Sequence, residues 1–225
     1  LKTIIIPDIH NKFSVVEEIL LKEKDYDKVV FLGDYFDSFG DEHDIELVSK
    51  TAEWLQYSTK ITNRIHLFGN HDLWYSCGDD EIKCAGNTEF KRFIIKQKFT
   101  NWSVLKFHAW VDGWLCTHAG LSAKISLDKS VESIMQEIEK EGKNHPLVRL
   151  CGEARGGIEG EVGGILWCDY SESYPVSNLK QIFGHTKDNK VRKYCNANGI
   201  NICLDTGLKH YAIIKNEKIT IKRNV

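Results

Sequence analysis

Five short apolar runs punctuate this chain, and each is followed by a carboxylate, carboxamide or imidazole. Residues 3–6 precede Asp8-Ile9-His10, 29–33 precede Asp34, 65–69 precede Asn70-His71-Asp72, 114–117 precede His118, and 181–184 precede His185. Runs of this length read as buried strands. A parallel sheet presents the carboxyl ends of its strands along one edge, so the loops that follow them meet in one crevice. A chain patterned this way gathers Asp, Asn and His in one place.

The rest of the pattern is consistent with a layered α/β fold. The strand-like stretch 3–7, a helical stretch near 13–24, strand-like 28–33, a helical stretch near 44–58 and strand-like 65–69 make two successive βαβ units. Phe13, Val16, Ile19 and Leu20 share one helical face, as do Ile45, Val48, Ala52 and Leu55, so both helices carry an apolar stripe for a sheet. After Thr88 a helical segment leads to strands at 104–110 and 114–117, a hairpin across Asp112-Gly113. A helix is expected near 128–140, followed by a glycine-rich loop at 141–164. Hairpins then close the chain: 190–195 and 200–204 across Asn198-Gly199, and 211–215 and 219–222 across Asn216-Glu217. Parallel units first and hairpins later predict two sheets packed face to face with helices outside. No repeat, low-complexity run or linker divides the chain, so residues 1–225 are expected to form one domain.

Composition excludes several partners. With 42% apolar and 28% charged residues and a formal charge of −2, the chain has the make-up of a globular protein, with no basic stripe for nucleic acid. No run approaches the roughly 20 apolar residues that span a bilayer, and residues at the start lack the sections of a signal peptide. Seven cysteines without a C-x-x-C pair predict free thiols in a reducing, cytoplasmic compartment. Leu1 is not an initiator methionine, so the native start is expected to be processed or to lie upstream.

Taken singly, Asp after a strand is a turn residue and a lone His a structural one. Together, imidazoles and carboxylates with no thiolate cluster suit divalent ions such as Mn, Fe or Zn. These residues resemble a family. Asp8-Ile9-His10, Gly33-Asp34-Tyr35-Phe36-Asp37, Gly69-Asn70-His71-Asp72, His118-Ala119-Gly120 and Gly184-His185-Thr186 are similar to the ordered motifs of the calcineurin-like metallophosphoesterases. The stretch 114–122 and Gly164 to Asp169 resemble the serine/threonine phosphoprotein phosphatase branch.

The resemblance implies a four-layer α-β-β-α sandwich with two mixed β-sheets and a centre of two divalent metal ions, manganese first, with iron or zinc as alternatives. Asp8 and His10 would bind one ion, Asp34 would bridge both, and Asn70, His118 and His185 would complete the second. His71 would be the general acid, oriented by Asp37, and Asn70 would also touch substrate. A metal-bridging hydroxide would attack a phosphomonoester, on a phosphoprotein or a small molecule. The chain departs from the branch where an arginine normally clamps phosphate, because Ser38 follows Asp37. Arg155, in the glycine-rich loop, is the expected replacement. Lys187 reads as a surface lysine, Asp72 as structural, and Trp102, Trp110 and Trp114 as tryptophans packed beneath a helix. His66 matches no motif. The alternative functions are hydrolysis of a dinucleoside polyphosphate or other phosphodiester and, from another class, a noncatalytic binding scaffold.

Overall fold

The computed structural model describes residues 1–38, 40, 43–125, 128–197 and 199–224. Strands β1 (Lys2–Ile6), β2 (Lys28–Phe31) and β3 (Arg64–His66) run parallel, joined through helices α1 (Phe13–Lys22) and α2 (Ile45–Ser58). Asp44 starts α2 by accepting the Leu47 N–H at 2.8 Å, as a helix-capping carboxylate does. The C-terminal hairpin β9 (His210–Lys215) and β10 (Lys218–Arg223) lies antiparallel on the other side of β1, giving the order β10-β9-β1-β2-β3.

The second sheet takes β4 (His108–Val111), β5 (Trp114–Thr117), β6 (Lys180–Phe183), β7 (Arg192–Cys195) and β8 (Ile200–Cys203) in the order β4-β5-β6-β8-β7. Its three central strands β5, β6 and β8 are parallel and its edges antiparallel, so both sheets are mixed. The remaining helices are α3 (Asn70–Cys77), α4 (Glu89–Lys98), α5 (Val131–Glu141) and α6 (Pro146–Arg149).

Alternation along the strands divides the core. Ile5, Val30 and Leu32 face Cys116, Ile182 and Ile202 of the other sheet, while Ile4, Ile6, Val29 and Phe31 pack outward with Val16 and Ile19 of α1 and Val48 and Leu55 of α2. Leu115 on the second sheet joins Ile134, Met135 and Ile138 of α5 in the outer cluster. The result is the expected four-layer α-β-β-α arrangement. Strands covered on both faces explain why the runs are continuously apolar.

Four local readings change. Strand β3 stops at His66, because Phe68 N–H turns away to the Lys106 carbonyl at 2.8 Å. Residues 102–104 form a 3₁₀ turn, so β4 begins only at His108. Part of the glycine-rich stretch is helical, in α6. Trp110 is 39% exposed on an edge strand, and Trp114 lies between the sheets with its Nε1 donating to the Glu217 carbonyl at 3.0 Å. The expected turn residue Asn198 lies outside the described residues. Among the described residues, no helix is long and apolar enough to cross a membrane.

Candidate metal centre

The loops after β1, β2 and β3 of one sheet and after β5 and β6 of the other converge at the carboxyl edge. There, ligand atoms of Asp8, His10 and Asp34 all lie within 4.8 Å of one another, as do those of Asp34, His118 and His185. Asp34 belongs to both groups. Its Oδ2 lies 3.8 Å from His10 Nε2 and 3.5 Å from His118 Nε2. Asn70 joins the second group through Oδ1, which is 2.9 Å from His118 Nε2 and 3.0 Å from His185 Nδ1.

Local backbone aims these atoms. His10, Asp34, Asp37 and His185 all have positive φ, a conformation unusual for residues with a Cβ. Asp72 holds the bend: its carboxylate accepts the N–H groups of Asp34, Tyr35 and Gly69 at 2.8–2.9 Å. His10 Nδ1 donates to the Phe36 carbonyl at 3.1 Å and His118 Nδ1 to the Leu32 carbonyl at 2.8 Å. A carbonyl only accepts, so each Nδ1 carries the hydrogen and each Nε2 faces Asp34.

The residues fit a cation on their own chemistry. Burial holds His118 neutral, its pKa lowered, and burial together with His118 lowers that of His185 further. His118 Nε2, Asn70 Oδ1 and Asp34 Oδ2 then present lone pairs, and only His185 Nδ1 can supply a hydrogen among them. If it does, His185 Nε2, buried with no partner, is left an unsatisfied acceptor. Beside this group, burial and the Asp205 and Asp34 charges push Asp8 well up. Asp34 itself is held low: burial would raise it, and any proton taken up by the imidazoles around it, His118, His71, His10 or His185, lowers it. Divalent ions would relieve both the crowded lone pairs and the adjacent carboxylates.

His71 stands beside the ligand groups, on the first turn of α3. Its N–H donates to Asp34 Oδ1 at 3.1 Å, and its ring Nδ1 lies 3.1 Å from Asp37 Oδ2. Burial alone would lower the pKa of His71, but the Asp34 and Asp37 charges raise it; burial likewise opposes the lowering of Asp37, which its hydrogen bonds with His71 and Lys91 bring about. Tyr75, Asn87 and Lys91 also bond Asp37, and sequence reasoning missed all three. They are an aromatic, an amide and a lysine without motif spacing.

A cleft of about 480 Å³ opens over the site, lined by His10, Asp34, Asn70, His71 and His185 together with Lys83, Arg155, Lys187 and Asp205. Arg155 reaches it from the glycine-rich loop, its Nη2 2.8 Å from Asp169 Oδ2 and 3.0 Å from Thr186 Oγ1. Lys187 is exposed at the surface and also lines the cleft. Ser38 is buried, with its Oγ 3.4 Å from Asn11 Nδ2.

A family model described as calcineurin-like phosphoesterase matches residues 1–204. Comparison with curated protein sequences returns no match. Among solved structures, a cold-active protein tyrosine phosphatase of a psychrophilic Shewanella species is similar at 16% identity and TM-score 0.58, over 99% of this chain and 77% of that one. A mutant form of a cold-active protein tyrosine phosphatase reaches TM-score 0.61 at 16% identity, with coverage of 99% and 77%. A serine/threonine phosphatase from Saccharomyces cerevisiae, with similarity to human phosphatase PP5, gives TM-score 0.54 at 13% identity, over 100% of this chain and 80% of that one. At these identities the likeness is one of fold.

Proposed function

Because the chain belongs to the calcineurin-like phosphoesterase family, whose members are metal-dependent hydrolases of phosphate esters, we propose that it is a binuclear-metal phosphomonoesterase. The observation that carries this reading is the His71–Asp37 pair standing beside two ligand groups that share Asp34. Asp8, His10 and Asp34 would hold one divalent ion, and Asp34, Asn70, His118 and His185 the other. When bound, the ions supply Lewis-acid polarisation of the phosphoryl group and an activated water. Manganese as the native metal, a cytoplasmic location and one domain for residues 1–225 belong to the same reading.

The chain's own residues would do the rest. With His71 Nδ1 committed to Asp37, Nε2 is the ring nitrogen left to protonate the departing ester oxygen. A positioned acid contributes about 10²–10⁴-fold. Asn70 would touch a phosphoryl oxygen as well as the second ion. Arg155 lies on the cleft with its guanidinium anchored through Nη2 to Asp169 and Thr186, an orientation suited to a phosphate clamp in place of Ser38.

A second reading is favoured by a specific observation. Lys83 and Lys187 stand on the cleft beside Arg155, so cationic side chains are spread along it beyond the one clamp that a single phosphate would use. A dinucleoside polyphosphate or another phosphodiester would use them. Metal-free protein loaded in turn with Mn²⁺, Zn²⁺, Fe²⁺ and Co²⁺ decides between them, assayed on p-nitrophenyl phosphate, its bis ester, a phosphopeptide and diadenosine tetraphosphate. The monoesters are expected to turn over fastest. Cleavage of the nucleotide alone would move the assignment to the second reading, and no hydrolysis with any ion would leave a binding scaffold.

A further inference from the structure

Asp37 is bound more heavily than an orienting carboxylate requires. Its Oδ2 meets His71 Nδ1 at 3.1 Å and accepts Asn87 Nδ2 at 2.6 Å, while Oδ1 accepts the Tyr75 hydroxyl at 2.7 Å and the Lys91 ammonium at 2.8 Å. Lys91 projects from α4, is 2% exposed, and places its remaining donor strength on the Gly86 carbonyl at 2.9 Å. Asn87 also reaches the His71 carbonyl at 3.3 Å. The loop from Lys83 to the Thr88 cap of α4 thus wraps the acid from behind, while its Lys83, Cys84 and Ala85 line the cleft in front.

A buried lysine is costly to keep unless its charge has a task. Two neutral donors, Tyr75 and Asn87, already satisfy much of Asp37, so hydrogen bonding alone does not call for an ammonium. What a cation adds is charge compensation on Oδ1, independent of the imidazole on Oδ2. The carboxylate then stays a fixed acceptor for Nδ1 throughout, and the ring keeps Nε2 turned to the cleft.

We propose that Lys91 is a positioning residue for the acid His71, acting through Asp37. The inference deepens the phosphoesterase reading and rests on it for its kinetic consequence. As the P–O bond breaks, its electron pair leaves with the ester oxygen, which takes the His71 Nε2 proton. Poor leaving groups need that proton and good ones do not.

The test uses the full metal-loaded chain and a series of aryl phosphates. Lys91→Met is expected to lose about a hundredfold in kcat on phenyl phosphate, within the range assigned to a positioned acid, with KM unchanged. On 2,4-dinitrophenyl phosphate its kcat is expected to change little, and Lys91→Arg is expected to recover the phenyl phosphate rate. An equal loss across the series would mark Lys91 as merely structural and overturn the proposal. The second measurement needs no turnover: in the zinc-loaded protein the hydrogen-bonded His71 Nδ1–H resonance, assigned with His71→Ala, should vanish in Lys91→Met. If the parent protein hydrolyses no ester, the phosphoesterase reading falls, and this resonance alone decides Lys91. Its persistence in the variant overturns the proposal. Should Lys91→Met not fold, Lys91→Gln, which keeps a neutral donor, takes its place in both measurements.

Discussion

His66 and His71 sit close together in sequence and meet opposite environments. The acidic surroundings of His71 raise its pKa against its burial, whereas burial, aided by the Arg64 charge, pushes His66 down to about 3. A one-way hydrogen-bond chain explains the neutral form. Arg64 donates to Ser58 Oγ at 2.9 Å, leaving that hydroxyl to donate to His66 Nε2 at 3.0 Å; His66 Nδ1 then serves the Tyr35 hydroxyl at 3.1 Å, which donates to the Leu67 carbonyl. Since the folded pKa is depressed, this contribution to stability is whole above about 6.5 and is lost as pH falls from there towards 3. The shift corresponds to roughly 5 kcal/mol, at about 1.4 kcal/mol per pH unit. Denaturant unfolding of wild type and His66→Gln between pH 8 and 4 should therefore give converging curves, and parallel ones would refute the assignment. Nothing in the sequence marks this histidine, because its partners Tyr35 and Ser58 meet it only through the β2–α2–β3 packing. Lys91, Asn87 and Tyr75 escaped for the same reason: their contacts with Asp37 are made across 38 to 54 residues.

Elements were more legible than individual partners, since periodicity reports which face is buried before any contact is known. The helical stripes of α1 and α2 and the strand ends that carry Asp8, Asp34, Asn70, His118 and His185 could be read directly. Helix α3 was hidden because its first residues, Asn70-His71-Asp72, were read as a ligand loop, although Asp72 three residues after Gly69 accepts that N–H as a start signal would. Spacing also conceals how closely the loops approach. A Cβ on Gly184 would lie 2.9 Å from the Asp8 carboxyl carbon, and one on Gly69 would lie 2.8 Å from that of Asp34. Neither glycine needs a positive φ; the requirement is room. Gly184→Ala is expected to cost about 1–3 kcal/mol, as overpacking does. By displacing Asp8, whose carboxylate accepts the His185 N–H at 2.5 Å, it should also weaken binding at the Asp8–His10–Asp34 group by about 10–100-fold. Chelator competition alongside denaturant melts reads both effects, and unchanged metal affinity would show that the tight fit does not set the ligand.

At the scale of the molecule, the ligand groups join two sheets. Asp8, His10, Asp34 and Asn70 follow strands of the first, whereas His118 and His185 follow β5 and β6 of the second. The convergence was foreseeable because parallel strands end on one edge. Which sheet each run would enter was not, since a continuous apolar run carries no record of its neighbours. An ion held by Asp34, Asn70, His118 and His185 would tie the sheets together and so protect the whole fold, whereas one held by Asp8, His10 and Asp34 would brace the loops of the first sheet. Ligand at a hundred times its dissociation constant stabilises by about 2.7 kcal/mol per site. For a chain of 225 residues each kilocalorie raises Tm by about 2–4 °C, so each ion should add roughly 5–10 °C. Because Asp34 Oδ2 faces both His10 and His118, Asp34→Asn should abolish most of both increments, while His10→Ala should remove only the one belonging to its own group. Scanning calorimetry with chelator and with saturating Zn²⁺ separates the cases. Equal losses in the two variants would mean that the two groups bind metal as one unit and not as separate sites.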